Sequence, residues 1–505
     1  MDSSWVSQLE AVGADADLTL SILERLNQGT LESPPIEVAG FPGIDGKQVW
    51  DWRAPQEAVI HSEQAKRAFN TFFAELNLDD YSTVQGGNRR FTLSALEELG
   101  LRLSRRSAFG VLNGGMATSY GDSKKNQGLS EGLFQVYHKD FERLAKNVRG
   151  QPKGITPAFI QPDGTPGPSF LELKLRHLRQ INQASAQARY QGPGMVLFQM
   201  TSAATDGPIR EALQKYETSP LLLDGEYPLP LRQTPTRVQN LLGTFSSKRE
   251  GLPRRLFLKE GVPYALPGGH GQNFRVLADL YRSLYAEGYR FVWLGNVDNL
   301  GNLPSLKSLA LLTLTGAPAA FDFSFKTPVD VKGGVLYRRP EGKLDCADIG
   351  VGLDGKLVKA AEQKGQPILF NCATGLFSLD HLLADLDGLN QHLPVRVSEQ
   401  DKDVGRYAQA ELNTWEVIGL LDHPLILGVE KTRRFLAAKL LTDSLLTSAL
   451  HRDNPWFSHE GQPWAQIADS LHEGLKALLA GPYAMRLENG RWVPDQRHQN
   501  PGIFV

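Results

Sequence analysis

Several residues in this chain have types and spacings that suit phosphate chemistry. Asp298 stands in Phe291-Val-Trp-Leu-Gly-Asn-Val-Asp-Asn-Leu-Gly301, just past four consecutive apolar residues. Such a run reads as a strand buried on both faces, and Gly295, Asn296, Asp298 and Asn299 supply turn chemistry at its carboxyl end. Open α/β sheets bind ligands there. A carboxylate in that position offers a hard oxygen to Mg²⁺, an ion usually held by one or two protein carboxylates plus substrate phosphates. Phe109-Gly-Val-Leu112 likewise runs into Asn113-Gly-Gly-Met-Ala-Thr-Ser-Tyr-Gly121. Glycines after a strand let backbone N–H groups close on an anion, because a Cβ at the contact would hold a phosphate off. His270 lies between glycines in Pro267-Gly-Gly-His-Gly-Gln272, a loop position where a histidine is either a ligand donor or a polar surface residue. Lys439 brings a cation into the apolar segment from Phe435 to Leu450, or else lays its stem along an apolar helix.

The elements that must position these residues alternate. After the turn-rich Gln161–Pro168, Ser169 and Glu172 form a capping-box pattern for a long helix with Phe170, Leu171, Leu175, Leu178 and Ile181 on its buried face. A strand, Met195-Val-Leu-Phe-Gln-Met200, a polar turn and a helix from Pro208 to Tyr216 follow. The glycine loop at Pro267 then precedes an amphipathic helix carrying Phe274, Leu277, Tyr281 and Leu284, which runs into the Phe291 strand. This alternation predicts an α/β fold with a central mixed, mostly parallel sheet covered by helices. Phe321, Phe323 and Phe325 alternate with polar neighbours as in a half-buried strand, and Pro367–Phe370 reads as a strand ending in the polar loop Asn371–Gly375. Three regions are expected: a helical N-terminal region over 1–104, a catalytic domain over 105–405, and a small, mostly helical C-terminal region over 406–505.

The 505 residues suffice for at least one sizeable core, and 54 basic against 56 acidic residues leave a net charge of -2. No global field favours nucleic acid or an anionic membrane, so phosphate binding must be local. Two cysteines, Cys346 and Cys372, make no disulfide framework and lack zinc-site spacing. The chain starts unlike a signal peptide and holds no apolar run long enough to span a membrane, so a cytoplasmic protein is expected.

Taken together, the loops resemble the UDP-sugar pyrophosphorylase family, and its UTP–glucose-1-phosphate uridylyltransferases more than its N-acetylglucosamine branch. The likeness runs from about Phe109 to Leu450, with the pieces in family order: Leu112-Asn113-Gly114-Gly115, Pro152-Lys153, Met200-Thr201-Ser202, Pro267 to Gly271, and Asn296-Val-Asp298-Asn299-Leu-Gly301. Lys326-Thr-Pro-Val-Asp330-Val-Lys332-Gly333-Gly334 and Arg434-Phe435, Lys439, Asp443 and Leu445 complete it. The resemblance implies a Rossmann-like, GT-A-type sheet and transfer of a uridylyl group from UTP to a sugar 1-phosphate, with Mg²⁺ on Asp298. It implies Leu112, Gly114, Gly115, Met200, Gln233, Gly269 and His270 at the nucleotide, Lys153 and Lys439 at the phosphates, and Asn296, Gly334, Asp348 and Asn371 at the sugar.

The chain departs from the family pattern in places. The stretch from Gly121 to Pro152 is long, so Lys124 and Lys125 stand beside Lys153 as candidates for the triphosphate lysine. Asp348 replaces a family glutamate, and Cys372-Ala373-Thr374 replaces a run containing two amides, which alters the hydroxyl-reading set and opens the sugar's identity. The family's closing left-handed β-helix has no counterpart in the sequence pattern, and the oligomeric state is open. A glycosyltransferase consuming a nucleotide sugar and a non-catalytic UTP or UDP-sugar binder are the competing readings.

Overall fold

The computed structural model describes residues 3–31, 36–223, 234–327, 330, 333–350, 352–402 and 404–495. Ten strands form its main sheet. They are β1 (Val49–Asp51), β2 (Ser107–Leu112), β3 (Val196–Thr201), β4 (Thr236–Val238), β5 (Phe291–Asn296), β6 (Ala319–Phe325), β7 (Gly334–Arg338), β8 (Leu344–Asp348), β9 (Leu369–Ser378) and β10 (Leu425–Val429). Across the sheet they lie in the order β1-β10-β6-β9-β5-β2-β3-β4, with β7 attached to β9 and β8 to β7. Along that path β9 is antiparallel to both its neighbours, and every other pairing is parallel.

This order creates a crevice. The chain steps outward from β2 to β3 to β4, then returns to the opposite flank of β2 to lay down β5. The reversal separates the loops leaving the carboxyl ends of β2 and β5, and ligands of open α/β sheets enter at such a point. The two strands are in register from Phe291 opposite Ser107 to Asn296 opposite Leu112. All of β2 is buried, as its unbroken apolar pattern requires.

Helices cover the sheet. Leu306–Thr315 is buried along nearly its whole length, and it lies so close to helix Leu93–Ser104 that a Cβ on Gly100 would sit 1.9 Å from the Leu306 carbonyl oxygen. Helix Phe170–Gln187 starts at Ser169, whose Oγ accepts the Glu172 N–H at 3.2 Å. It buries the apolar residues the sequence indicates, together with Lys174, Arg176, His177 and Arg179.

The expected boundaries at 104 and 406 cut through the sheet, which takes β1 from the N-terminal region and β10 from the C-terminal one. The N-terminal region also carries a three-stranded antiparallel sheet, Glu57–His61, Ser82–Gln85 and Asn88–Thr92, and the C-terminal region ends its described part in helix Gln462–Ala480 and the hairpin Met485–Glu488 with Arg491–Pro494. The stretch after Lys125 is a helix, Glu131–Val148. β6 is buried on both faces because Asp322 pairs with Arg434, whose Nη2 donates to Asp322 Oδ2 at 2.6 Å. The polar run Asn371–Gly375 is not a terminal loop. It lies inside β9, where the ladder with β6 slips between Phe321 and Phe323 and the Asn371 side chain takes up the freed Ala373 N–H at 2.8 Å.

Candidate active site

The glycine loop leaves β2 pinned on three sides. The Asn113 N–H donates to the Met200 oxygen at 2.8 Å, Asn113 Nδ2 donates to Gln199 Oε1 at 3.1 Å, and Thr205 Oγ1 donates to the Asn113 oxygen at 3.1 Å. A Cβ on Gly114 would meet Gln239 Nε2 at 2.8 Å, the far end of a side chain that can shift, whereas Gly115 faces open space. Leu112 and Met200 are opposite each other at the ends of β2 and β3, both buried. Gln233 lies outside the described residues.

Lys153 is brought to this loop by the backbone, its N–H donating to the Gly115 oxygen at 2.9 Å and Ala117 N–H donating to Gln151 O at 2.9 Å. Its side chain is buried with Nζ 3.2 Å from the Tyr120 ring centroid and no hydrogen-bond partner. Burial lowers its pKa from 10.5 to about 8, against the pull of Asp298 and Asp443. Lys124 and Lys125 are exposed, and Lys125 Nζ donates to Ser119 Oγ at 2.7 Å.

Asp298 is held beside the segment that delivers Lys439. Asn299 pairs with Ala437, Leu300 N–H donates to the Leu436 oxygen at 3.0 Å, and Ala438 N–H donates to the Asp298 oxygen at 3.3 Å. Asn299 locks this ladder, its Oδ1 accepting Leu436 N–H at 3.0 Å and its Nδ2 donating to Arg434 O at 2.9 Å. Lys439 is therefore not on an apolar helix. It occupies the exposed bend before helix Leu441–Ser448, where Asp443 Oδ2 accepts the N–H of Lys439 at 3.0 Å and of Leu440 at 2.8 Å. Burial raises the Asp443 carboxyl while those N–H groups, Lys153 and Lys439 draw it down, so this one carboxylate couples the two lysines. The Lys439-x-x-x-Asp443 spacing was the signal for Asp443, visible in the sequence without its role.

His270 has a defined tautomer. The Thr414 N–H donates to its Nδ1 at 3.1 Å, so the neutral ring carries its proton on Nε2. Burial, with Lys439 adding to it, lowers its pKa to about 4, which keeps the ring neutral. Gly269 before it has φ 84°, and a Cβ would lie 2.4 Å from Leu412 O. Thr414 carries no sequence signal, being joined to His270 across 144 residues.

Gly334, Asp348 and Asn371 come together. Gly334 is opposite Asp348 in the β7–β8 ladder, and a Cβ on it would be 2.8 Å from Cys346 Sγ and 3.3 Å from Asn371 Cβ. Burial raises the Asp348 carboxyl, opposed by Lys439 and Arg396. Asn371 Oδ1 is committed to Ala373 N–H, and Ala373 takes the left-handed conformation, φ 52°, that amide side chains tolerate better than alanine. Asn296 closes β5, its carbonyl accepting Asn302 Nδ2 at 3.1 Å.

Sequence reasoning missed Lys174. This fully buried lysine donates from Nζ to Asn299 O at 2.9 Å and Asn302 O at 3.0 Å, and burial lowers its pKa to about 7 against the pull of Asp298. Among the described residues no three His, Cys, Asp or Glu side chains gather to hold a metal. No described helix is long and apolar enough to cross a membrane.

The sheet order defines a mixed α/β protein with charged side chains gathered at the sheet's switch point. Residues 251–455 match the family model of UTP–glucose-1-phosphate uridylyltransferase. UTP–glucose-1-phosphate uridylyltransferase 2 of Dictyostelium discoideum is 24% identical over 289 residues, 56% of this chain and 52% of the relative. The Solanum tuberosum UTP–glucose-1-phosphate uridylyltransferase is 28% identical over 187 residues, 36% of this chain and 38% of the relative. The chain spans about half or less of these relatives' length. The fold is shared with UDP-glucose pyrophosphorylase from Leishmania major, at TM-score 0.58 and 15% identity over 99% of this chain and 83% of that one. The family model and these relatives make the chain similar to the UTP–glucose-1-phosphate uridylyltransferases over those stretches.

Proposed function

We propose that this chain transfers a uridylyl group from UTP to a sugar 1-phosphate, with glucose 1-phosphate the first substrate to test. The observation that carries this reading is a set of unmatched charges. Among the described residues, Lys153 Nζ and the side chains of Asp298 and Lys439 make no hydrogen bond or ion pair, yet Lys153 feels Asp298 directly and Asp443 couples it to Lys439. A phosphate-rich ligand supplies the missing partners.

In this reading an oxygen of the sugar 1-phosphate attacks the α-phosphorus of UTP. The bond from that phosphorus to the α,β-bridging oxygen breaks, and its electron pair leaves with pyrophosphate. Such transfer needs alignment and charge neutralisation and no covalent protein nucleophile. The N–H groups of Gly114 and Gly115 approach the triphosphate, Lys153 neutralises it, Lys439 holds the attacking phosphate, and His270 Nε2–H donates to a substrate oxygen. Leu112, Met200 and Gly269 line the base pocket, and Asn296, Gly334, Asp348 and Asn371 read the sugar.

The lone Asp298 carboxylate fits Mg²⁺ that arrives on the triphosphate, since that ion keeps few protein ligands. When bound, the ion supplies charge neutralisation at the reacting phosphates. The sheet is read as GT-A-type and the protein as cytoplasmic.

The test is a panel of nucleoside triphosphates against sugar 1-phosphates with Mg²⁺, read by pyrophosphate release. UTP with a hexose 1-phosphate should release it. Nucleotide binding without release for any pair would leave a binding protein, and sugar transfer from a UDP-sugar would make it a glycosyltransferase.

A further inference from the structure

Helix Phe170–Gln187 turns buried polar side chains toward backbone carbonyls. Arg176 donates to Tyr483 O at 2.6 Å and Ala484 O at 2.7 Å, so the helix grips the segment after residue 481. Tyr483 Oη in turn donates to the Leu300 oxygen at 2.7 Å. Two residues earlier, Lys174 Nζ donates to the oxygens of Asn299 and Asn302 at 2.9 and 3.0 Å. Three carbonyls just past Asp298 are thus bound by side chains from one side, while the Asp298 carbonyl itself accepts the Ala438 N–H.

A tie between two carbonyls does not by itself require a buried ammonium, which is costly to desolvate; an amide or a water would serve. What a lysine adds is three donors on one point and a positive charge near the aspartate. The peptide after Asp298 is fixed through its own oxygen by the Ala438 N–H and through the next residue's oxygen by Lys174, so the backbone torsions that aim the carboxylate depend in part on Lys174.

We propose that Lys174 is the positioning residue for Asp298: its ammonium, bound to Asn299 O and Asn302 O, holds the turn that presents the carboxylate to a nucleotide-borne divalent cation. This rests on the reading of Asp298 given under Proposed function. Lys174 touches no substrate.

The experiment uses the full chain, Lys174→Met and Lys174→Gln. UTP affinity is measured by calorimetry in EDTA and in Mg²⁺, with hydrogen exchange of the segment 296–303 as a second readout. The parent should bind UTP at least tenfold tighter with Mg²⁺. Lys174→Met should cut that ratio at least fivefold, leave the affinity in EDTA within twofold, and speed exchange in the segment. The Gln side chain is too short to reach both carbonyls, so Lys174→Gln should lose at least threefold of the ratio. A Met variant that keeps the parent ratio, or loses affinity equally in EDTA, overturns the proposal. If the Met variant fails to fold, the Gln variant decides by the same ratio, and an unchanged value overturns it. A parent without Mg²⁺-linked affinity removes both Asp298 as metal holder and Lys174 as its support. A parent with linked affinity but no pyrophosphate release sinks only the uridylyl-transfer reading.

Discussion

Lys153→Met should make the protein more stable and a poorer nucleotide binder at once. The Lys153 side chain is 7% exposed, its Nζ has no hydrogen bond, and its nearest charged company is Asp298 and Asp443. Burial brings its pKa from 10.5 down to about 8. At about 1.4 kcal/mol per pH unit, the folded protein holds this ammonium at a cost of about 3 kcal/mol at neutral pH. The folded pKa lies below the unfolded one, so the unfolded chain binds more protons between pH 8 and 10.5. The penalty is therefore complete below pH 8, and the stability of the parent rises with pH across that window. Methionine keeps most of the stem against Tyr120 and removes the buried charge, so urea unfolding at pH 7 should show a gain of roughly 1–3 kcal/mol. The difference from the parent should vanish toward pH 10.5, which separates Lys153 from other groups common to both proteins. UTP should show the opposite effect. Truncating one side of a buried charge pair typically costs about 2–4 kcal/mol, so Kd should rise roughly thirtyfold to a thousandfold. In the parent the free amine must take up a proton to bind above pH 8, so affinity should fall about tenfold per pH unit there. A variant less stable than the parent with unchanged UTP affinity would refute the reasoning and make Lys153 a structural lysine.

Three further substitutions probe the rest of the cleft. Asp298→Asn should lower the melting temperature slightly, because the carboxylate makes no hydrogen bond or ion pair among the described residues yet offsets the buried ammoniums of Lys153 and Lys174, and should lower turnover about a hundredfold or more with weakened Mg²⁺ dependence in steady-state rates. Lys439→Ala, at an exposed bend, should lower kcat at least about tenfold while calorimetric UTP affinity stays within twofold; a fall in UTP affinity alone would move Lys439 to the nucleotide. Asp348→Glu should change the kcat/KM ratio of glucose 1-phosphate to other hexose 1-phosphates by about fivefold, the equivalent of ~1 kcal/mol, and a flat ratio with activity retained would take Asp348 out of the sugar pocket.

Much of the cleft could be read from local chemistry. The apolar runs at Phe109 and Phe291 are strands because nothing in them needs water, and the glycines and acidic turn residues that follow can only be loop. The Ser169 cap and the amphipathic helices are likewise written within a few residues. Such features need one window of chain, and local propensity acts within that window. Asn371–Gly375 misleads for the same reason: polar residues suggest a loop until a bulge lets Asn371 satisfy its own strand. β6 looks half exposed until Arg434, from 112 residues away, neutralises Asp322. Lys174 looks like one more surface lysine in a charged helix until the turn after Asp298 closes over it. The ladder joining Asn299 to Ala437, which sets Lys439 beside the aspartate, has no local signature in either segment. A buried charge or carbonyl costs free energy unless a partner meets it, and in these cases the partner lies in a distant part of the chain. Residue type and spacing therefore determined which candidate site side chains this protein carries, while only the tertiary fold decided which of them stand together and which are left without a partner.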